Sequence, residues 1–222
     1  MFTLISRLQN SPLAFRIFSI VLPLMHLAGF IGLQLPTSRP FFQTLVPFHL
    51  LSTALVLLLY HQDWNKSSVF FCVLAYVIGF GIEVLGVHTG LIFGHYQYGN
   101  TLGTKWLDVP LVIGLNWLVL IYAAGMVVAS WRSSLWTKIA LGAAVVVGLD
   151  FLIEPVAMRL DFWNWQGEVI PFQNYVAWYL ISAFLLYCFY QYNFYKKNRL
   201  AGLLLLCQAL FFTAHRLMYI LD

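Results

Sequence analysis

Charge is what this chain has least of. Only 9% of its 222 residues are Asp, Glu, Lys or Arg, against about 25% in soluble domains. With 61% hydrophobic residues, that scarcity excludes a soluble domain and marks an integral membrane protein. The net charge of +4 is small and spread over the loops, so it bears on topology and gives no reason to expect a nucleic-acid partner. Cys72, Cys188 and Cys207 stand alone in apolar runs without Cys-x-x-Cys spacing and read as small packing residues. The histidines show no His-x-x-x-His, His-x-x-His-His or His-Glu-x-x-His pattern. Non-haem iron desaturases and zinc hydrolases are therefore poorly supported, and no metal is expected. Between Leu200 and Leu221 there is no lysine, which argues against a retinal Schiff base in the last span. The paired Asp-rich motifs of membrane prenyltransferases are missing as well.

What is there is a succession of apolar runs. Seven are long enough to span a bilayer, at about 14–35, 41–60, 68–89, 109–129, 136–158, 172–192 and 199–221. The expected fold is an all-α polytopic membrane bundle of about seven transmembrane helices. A single domain over 1–222 accounts for the length, with its motifs concentrated in 68–172. The segment Met1–Ser11 lacks a small-residue cleavage site, and the run after it is of full spanning length, so it does not read as a signal peptide. With seven spans, Arg7, Arg16, Lys66, Arg132, Lys138, Lys196, Lys197 and Arg199 share one side, and only Arg39, Lys105, Arg159 and Arg216 lie on the other. That asymmetry places the N-terminus in the cytoplasm. In a bacterium the membrane is the inner one, and the loops after spans 3 and 5 face outward.

Against this background three carboxyls stand out. Glu83 lies in Gly79-Phe-Gly-Ile-Glu83, and Asp150 and Glu154 lie in span 5. A charged side chain near the centre of a spanning helix costs roughly 2.5–3.5 kcal/mol even on the lower scale, and such residues default to function. At about 1.5 Å per residue, all three fall in the outer half of the bilayer at matched depth. Asp150 and Glu154 are i, i+4 and share a face. Two charges so close do not both ionise cheaply in low dielectric, so at least one keeps its proton. Such an acid is a donor for a weak base, and a carbon–carbon double bond is one. The bland alternative is that the acids pair with Arg159, Arg216 or backbone and only fix helix packing.

Other groups gather around these acids. His88 is five residues from Glu83, near its face, and is the histidine expected to act. His26, His49 and His215 are spread over other spans and read as interhelical hydrogen-bonding residues. Asn116, beside Trp117 in span 4, faces the bundle, as structural glue or as a group positioning substrate or water. Two loops, one with His95, Tyr96 and Tyr98 and the other with Trp163 and Trp165, each follow an acid-bearing span. That parallel hints at internal repetition, and the aromatics sit where they can close over the acids. Gly79, Gly81 and Gly86 read as faces for close helix approach. A proton donor, apolar walls and aromatic faces that stabilise a passing cation are what a carbocation reaction needs.

The motifs occur in a telling order: Gly81-Ile-Glu-Val-Leu-Gly-Val-His-Thr-Gly90, Gly94-His-Tyr-Gln-Tyr-Gly99, Val109-Pro-Leu-Val-Ile-Gly-Leu-Asn-Trp117, Asp150-Phe-Leu-Ile-Glu-Pro-Val-Ala157 and Phe162-Trp-Asn-Trp165. Together they resemble the membrane carotenoid biosynthesis proteins of the carotenoid 1,2-hydratase type, which include the bisanhydrobacterioruberin and γ-carotene hydratases. The likeness covers 68–172 well and the flanking spans weakly. In outline it extends to the heterodimeric-type lycopene cyclases. The resemblance implies chemistry on a carotenoid end group: a cofactor-free hydratase that adds water across the terminal C1–C2 double bond. The partners expected are the carotenoid, water and membrane lipid, and other carotenoid biosynthesis enzymes are left open as partners. A cyclase using the same protonation and, from another class, a proton-coupled transporter are the alternatives. The expected catalytic set is Glu83, Asp150, Glu154 and His88, with Asp150, the deeper of its pair, as part of the acid. Asn116, Trp117, His95, Tyr96, Tyr98, Trp163 and Trp165 are expected to bind substrate.

Overall fold

The computed structural model describes residues 9–221. Arg7 of the charge count and most of the segment before the first span lie outside the described residues. Among the described residues seven helices are long and apolar enough to cross a membrane. They are α1 Pro12–Gln34, α2 Arg39–Leu59, α3 Lys66–Thr89, α4 Leu111–Ala129, α5 Leu135–Arg159, α6 Phe172–Gln191 and α7 Ala201–Leu221. Each end falls within two residues of the run read from the sequence.

Local chemistry fixes several of these ends. The Ser11 hydroxyl accepts from the amide of Ala14, with Pro12 opening α1. Asn65 and Ser68 form a reciprocal capping box at the start of α3. Gly90, at φ 67°, ends that helix in the left-handed region, its amide bonded to the Gly86 carbonyl. Pro155 does not end α5, which continues to Arg159.

The helices are not arranged as a simple ring. α4 sits at the centre and packs against α2, α3, α5, α6 and α7. Buried residues make up 72% of its apolar stretch, against 17% for α1. Gly79 explains how α3 comes so close: a Cβ there would lie 2.3 Å from Cβ of Trp117. Gly86 is likewise pressed against Phe93 and the Tyr96 hydroxyl. Gly81 corrects the sequence reading, because nothing lies within 4 Å of its Cβ position. Two residues of helix turn it away from the face that Gly79 uses.

Four short strands appear that the apolar periodicity does not announce. β1 Tyr96–Tyr98 follows α3, β2 Lys105–Trp106 and β3 Val109–Pro110 precede α4, and β4 Trp163–Trp165 follows α5. β1 and β4 pair antiparallel, with Tyr96 opposite Trp165 and Tyr98 opposite Trp163. Bonds from Gly99 N–H to Phe162 O and from Gln166 N–H to His95 O, both 2.9 Å, extend the ladder at its two ends. Asp161 adds a tie, its Oδ2 accepting from the amide of Asn100. The two aromatic loops therefore form one small lid.

Candidate active site

Side chains alternate along a strand, and here the alternation sorts the lid. Gln97 and Asn164 point to solvent, while the four aromatics flanking them turn inward. Glu83 and Glu154 are then each gripped by the strand that follows their own helix. Tyr96 and Tyr98 donate to Glu83 Oε2 at 2.6 and 2.7 Å. Trp163 and Trp165 donate through Nε1 to Glu154 Oε2 at 2.9 and 2.6 Å. Burial, and behind it the Glu83 carboxylate, raises both tyrosine hydroxyls well above their ordinary value. They stay protonated and act as donors.

The helices complete the arrangement. Trp117 on α4 donates Nε1–H to Glu83 Oε1 at 2.9 Å, and its ring stacks on Trp178 of α6 at 3.8 Å. Asn174 of α6 spreads one amide over the other two acids, donating to Asp150 Oδ2 at 2.9 Å and to Glu154 Oε1 at 3.1 Å. Glu83, Asp150 and Glu154 are 3%, 1% and 1% exposed. Glu83 and Glu154 each accept three hydrogen bonds, and Asp150 accepts one, from Asn174.

Among the described residues no arginine joins this network. Arg159 lies over the Tyr219 ring and Arg216 bonds the Phe151 carbonyl. The bland expectation of acid–arginine pairing thus finds no counterpart among the described residues.

Two spaces adjoin at Ile113, Asn116 and Trp163. A chamber of about 20 Å³ is walled by Glu83, Glu154, Tyr96, Tyr98, Asn174 and the indoles around them. Beside it lies an apolar cavity of about 360 Å³ between α1, α2, α4, α5 and α7. Asp150 does not line the chamber but sits one step behind Glu154, through Asn174. His26 and His49 line the larger cavity, their rings edge to face at 4.6 Å.

The structure thus brings together Glu83, Asp150, Glu154, Asn116, Trp117, Tyr96, Tyr98, Trp163 and Trp165. It does not bring His88 or His95 to the chamber. His88 lies at the C-terminal end of α3, half exposed, 3.7 Å from the Asp108 carboxylate. His95 is exposed, its ring against Gly90. Five residues of helix carry His88 some 500° round from Glu83, off its face. Asn174 and Trp178 are the functional positions that sequence reasoning misses. Asn174 stands in the first turn of its span, where a polar residue passes for an interfacial one, and Trp178 passes for an aromatic belt.

The fold and the site together define a polytopic membrane protein with an acid chamber at the head of an apolar cavity. Residues 44–220 match the family of the carotenoid biosynthesis proteins, and the chain belongs to that family. A bisanhydrobacterioruberin hydratase from Haloarcula japonica is 30% identical over 112 residues, which is 47% of this chain and 38% of that protein. The matched part thus spans little more than a third of that relative. No solved structure matches the chain.

Proposed function

We propose that the protein hydrates the terminal C1–C2 double bond of an acyclic carotenoid end group. The observation that carries this reading is the water-sized chamber between two carboxyls, which shares Ile113, Asn116 and Trp163 as a common wall with an apolar cavity. About 10–15 Å³ is the least space that holds one water, and the chamber has about 20 Å³. The end group occupies the apolar cavity, and its double bond lies against Asn116 and Trp163.

The Asp150–Glu154 pair carries one proton between them, because two adjacent buried charges repel. Glu154, the member that faces the chamber, delivers it to C2. The π bond supplies the electron pair for the new C2–H bond and leaves a tertiary cation at C1. The indole of Trp163 and the Glu83 carboxylate stabilise that cation. A water held by Glu83 attacks C1. Its surplus proton passes to a carboxylate and restores the acid pair, so the net change is one added water and no cofactor takes part. Asn174 keeps Asp150 and Glu154 in register, and the lid keeps bulk water from quenching the cation. A chamber that holds a water beside the cation favours hydration over ring closure. The multi-pass protein acts in the inner membrane, with the acid chamber toward the outer face.

Glu83→Gln, Glu154→Gln and Asp150→Asn, each shown to be folded, are expected to lower turnover of a lycopene-type substrate at least about 100-fold, the scale of general acid–base catalysis. Near-normal hydration by all three variants would overturn the reading.

A further inference from the structure

The apolar cavity holds an end group, yet a carotenoid is several times longer than any side of a 360 Å³ space. The rest of the polyene has to leave the protein somewhere, and the helix arrangement offers one route. α2 and α3 are consecutive and joined by residues 60–65, but they share no substantial packed face, and each packs on α4 instead. The gap between them is a lateral groove of about 870 Å³. Leu111, Val112 and Leu115 of α4 form its floor, and Leu51 and Tyr76 stand on opposite sides. The loop 100–104 roofs its outer end, with the Cβ position of Gly103 3.1 Å from the Pro47 ring and Thr101 Oγ1 bonded to Leu160 O. Phe48 and Leu102 line both this groove and the apolar cavity. Leu102 is 2% exposed and Phe48 is 63% exposed, so the junction runs from the protein interior to the lipid-facing surface.

We propose that this groove is the binding site of the polyene chain. The substrate threads end-first from the bilayer between α2 and α3, past Phe48 and Leu102, and its remaining length lies along the groove. This rests on the reading that the acid chamber acts on a carotenoid end group. It adds a consequence: one chamber at the blind end of one channel processes one end per visit. A symmetric substrate must leave and turn round before its second end reacts.

The test compares an acyclic C40 carotenoid with a truncated isoprenoid of about ten carbons carrying the same end group, both offered to the protein in lipid nanodiscs. Binding is read by quenching of tryptophan fluorescence, which needs no turnover. Leu51→Trp narrows the groove without touching the cavity, and Leu102→Trp closes the junction. Leu51→Trp is expected to weaken binding of the long polyene at least about tenfold, equal to about 1.4 kcal/mol, and to leave binding of the truncated compound within about twofold. Should Leu102→Trp fail to fold, Leu51→Trp carries the test alone, since Leu51 is a surface position. Equal weakening of both ligands, or of neither, overturns the groove assignment. Kinetically, a symmetric carotenoid is expected to accumulate its singly hydrated form, released into the lipid, before the doubly hydrated one, and direct conversion to the doubly hydrated form would contradict threading. Groove-sensitive binding without any hydrated product would retain the groove and reject the hydratase reading.

Discussion

At the residue scale, the site is a matter of how many donors each acid holds. Asn174 is the most exposed to test, because one amide serves two carboxyls. Replacing it with Leu strips a donor from both and leaves two buried acceptors facing each other. Asn174→Leu is expected to cost about 1–3 kcal/mol of stability, seen as a lower melting temperature in detergent, whereas Asn174→Ser keeps a donor and recovers part of it. Equal melting temperatures for Asn174→Leu and the native chain would show that the bridge contributes nothing. Tyr98→Phe removes one of three donors to Glu83 and is expected to lower hydration roughly tenfold with the fold intact, whereas Gln97→Ala on the same strand, facing solvent, is not.

The acids themselves are legible in the sequence, because a carboxyl in a run of Ile, Leu and Val has few explanations in a bilayer. Asn174 is not, because an amide in the first turn of a span carries no such contradiction. His88 shows the opposite failure: nearness in sequence to Glu83 suggested a partnership that the helical turn prevents.

At the element scale, the seven spans are legible because twenty apolar residues have one stable solution in lipid, a helix that satisfies its own backbone. The lid is not, since three-residue strands leave no periodic trace. Tyr-x-Tyr and Trp-x-Trp in equivalent loops were visible, but their pairing with each other depends on how closely α3 and α5 approach through α4. That approach rests on Gly79 beneath Trp117, which the sequence suggested, and not on Gly81, which it also suggested. The register of β1 on β4 has a sharp consequence. A strand has period two, so a one-residue slip exchanges its inward and outward faces. Deleting Asn164 is expected to reduce hydration at least about 100-fold while helical circular dichroism and monodispersity in detergent stay unchanged. A deletion variant with native turnover would show that the Trp163 and Trp165 bonds to Glu154 are dispensable.

At the scale of the whole molecule, the chain divides its labour between two helix sets that share α4. α3, α5 and α6 carry the acids and Asn174, while α1, α2 and α7 supply most of the wall of the apolar cavity, with Ile153 of α5 joining them. On the proposed reading a hydrocarbon is held by one set and reacted on by the other, with Asn116 and Trp163 at the boundary. From the Lys and Arg asymmetry we propose that the lid faces the outside of the cell. In a background with Cys72, Cys188 and Cys207 replaced by Ala, Asn164→Cys on the exposed face of the lid is expected to react with a membrane-impermeant maleimide in cells whose inner membrane is intact. Labelling only after that membrane is broken would reverse the topology.

We propose that a buried acid pair protonates a terminal double bond and that a water held beside it completes the reaction. Purified protein incubated with a lycopene-type carotenoid in oxygen-18-labelled water, followed by mass analysis of the pigment, tests it most directly. The expected product is heavier by one labelled water per reacted end, with the label in a tertiary hydroxyl, and no labelled product is expected from Glu83→Gln. A pigment of unchanged mass with a ring chromophore would contradict it and assign the same acids to a cyclase.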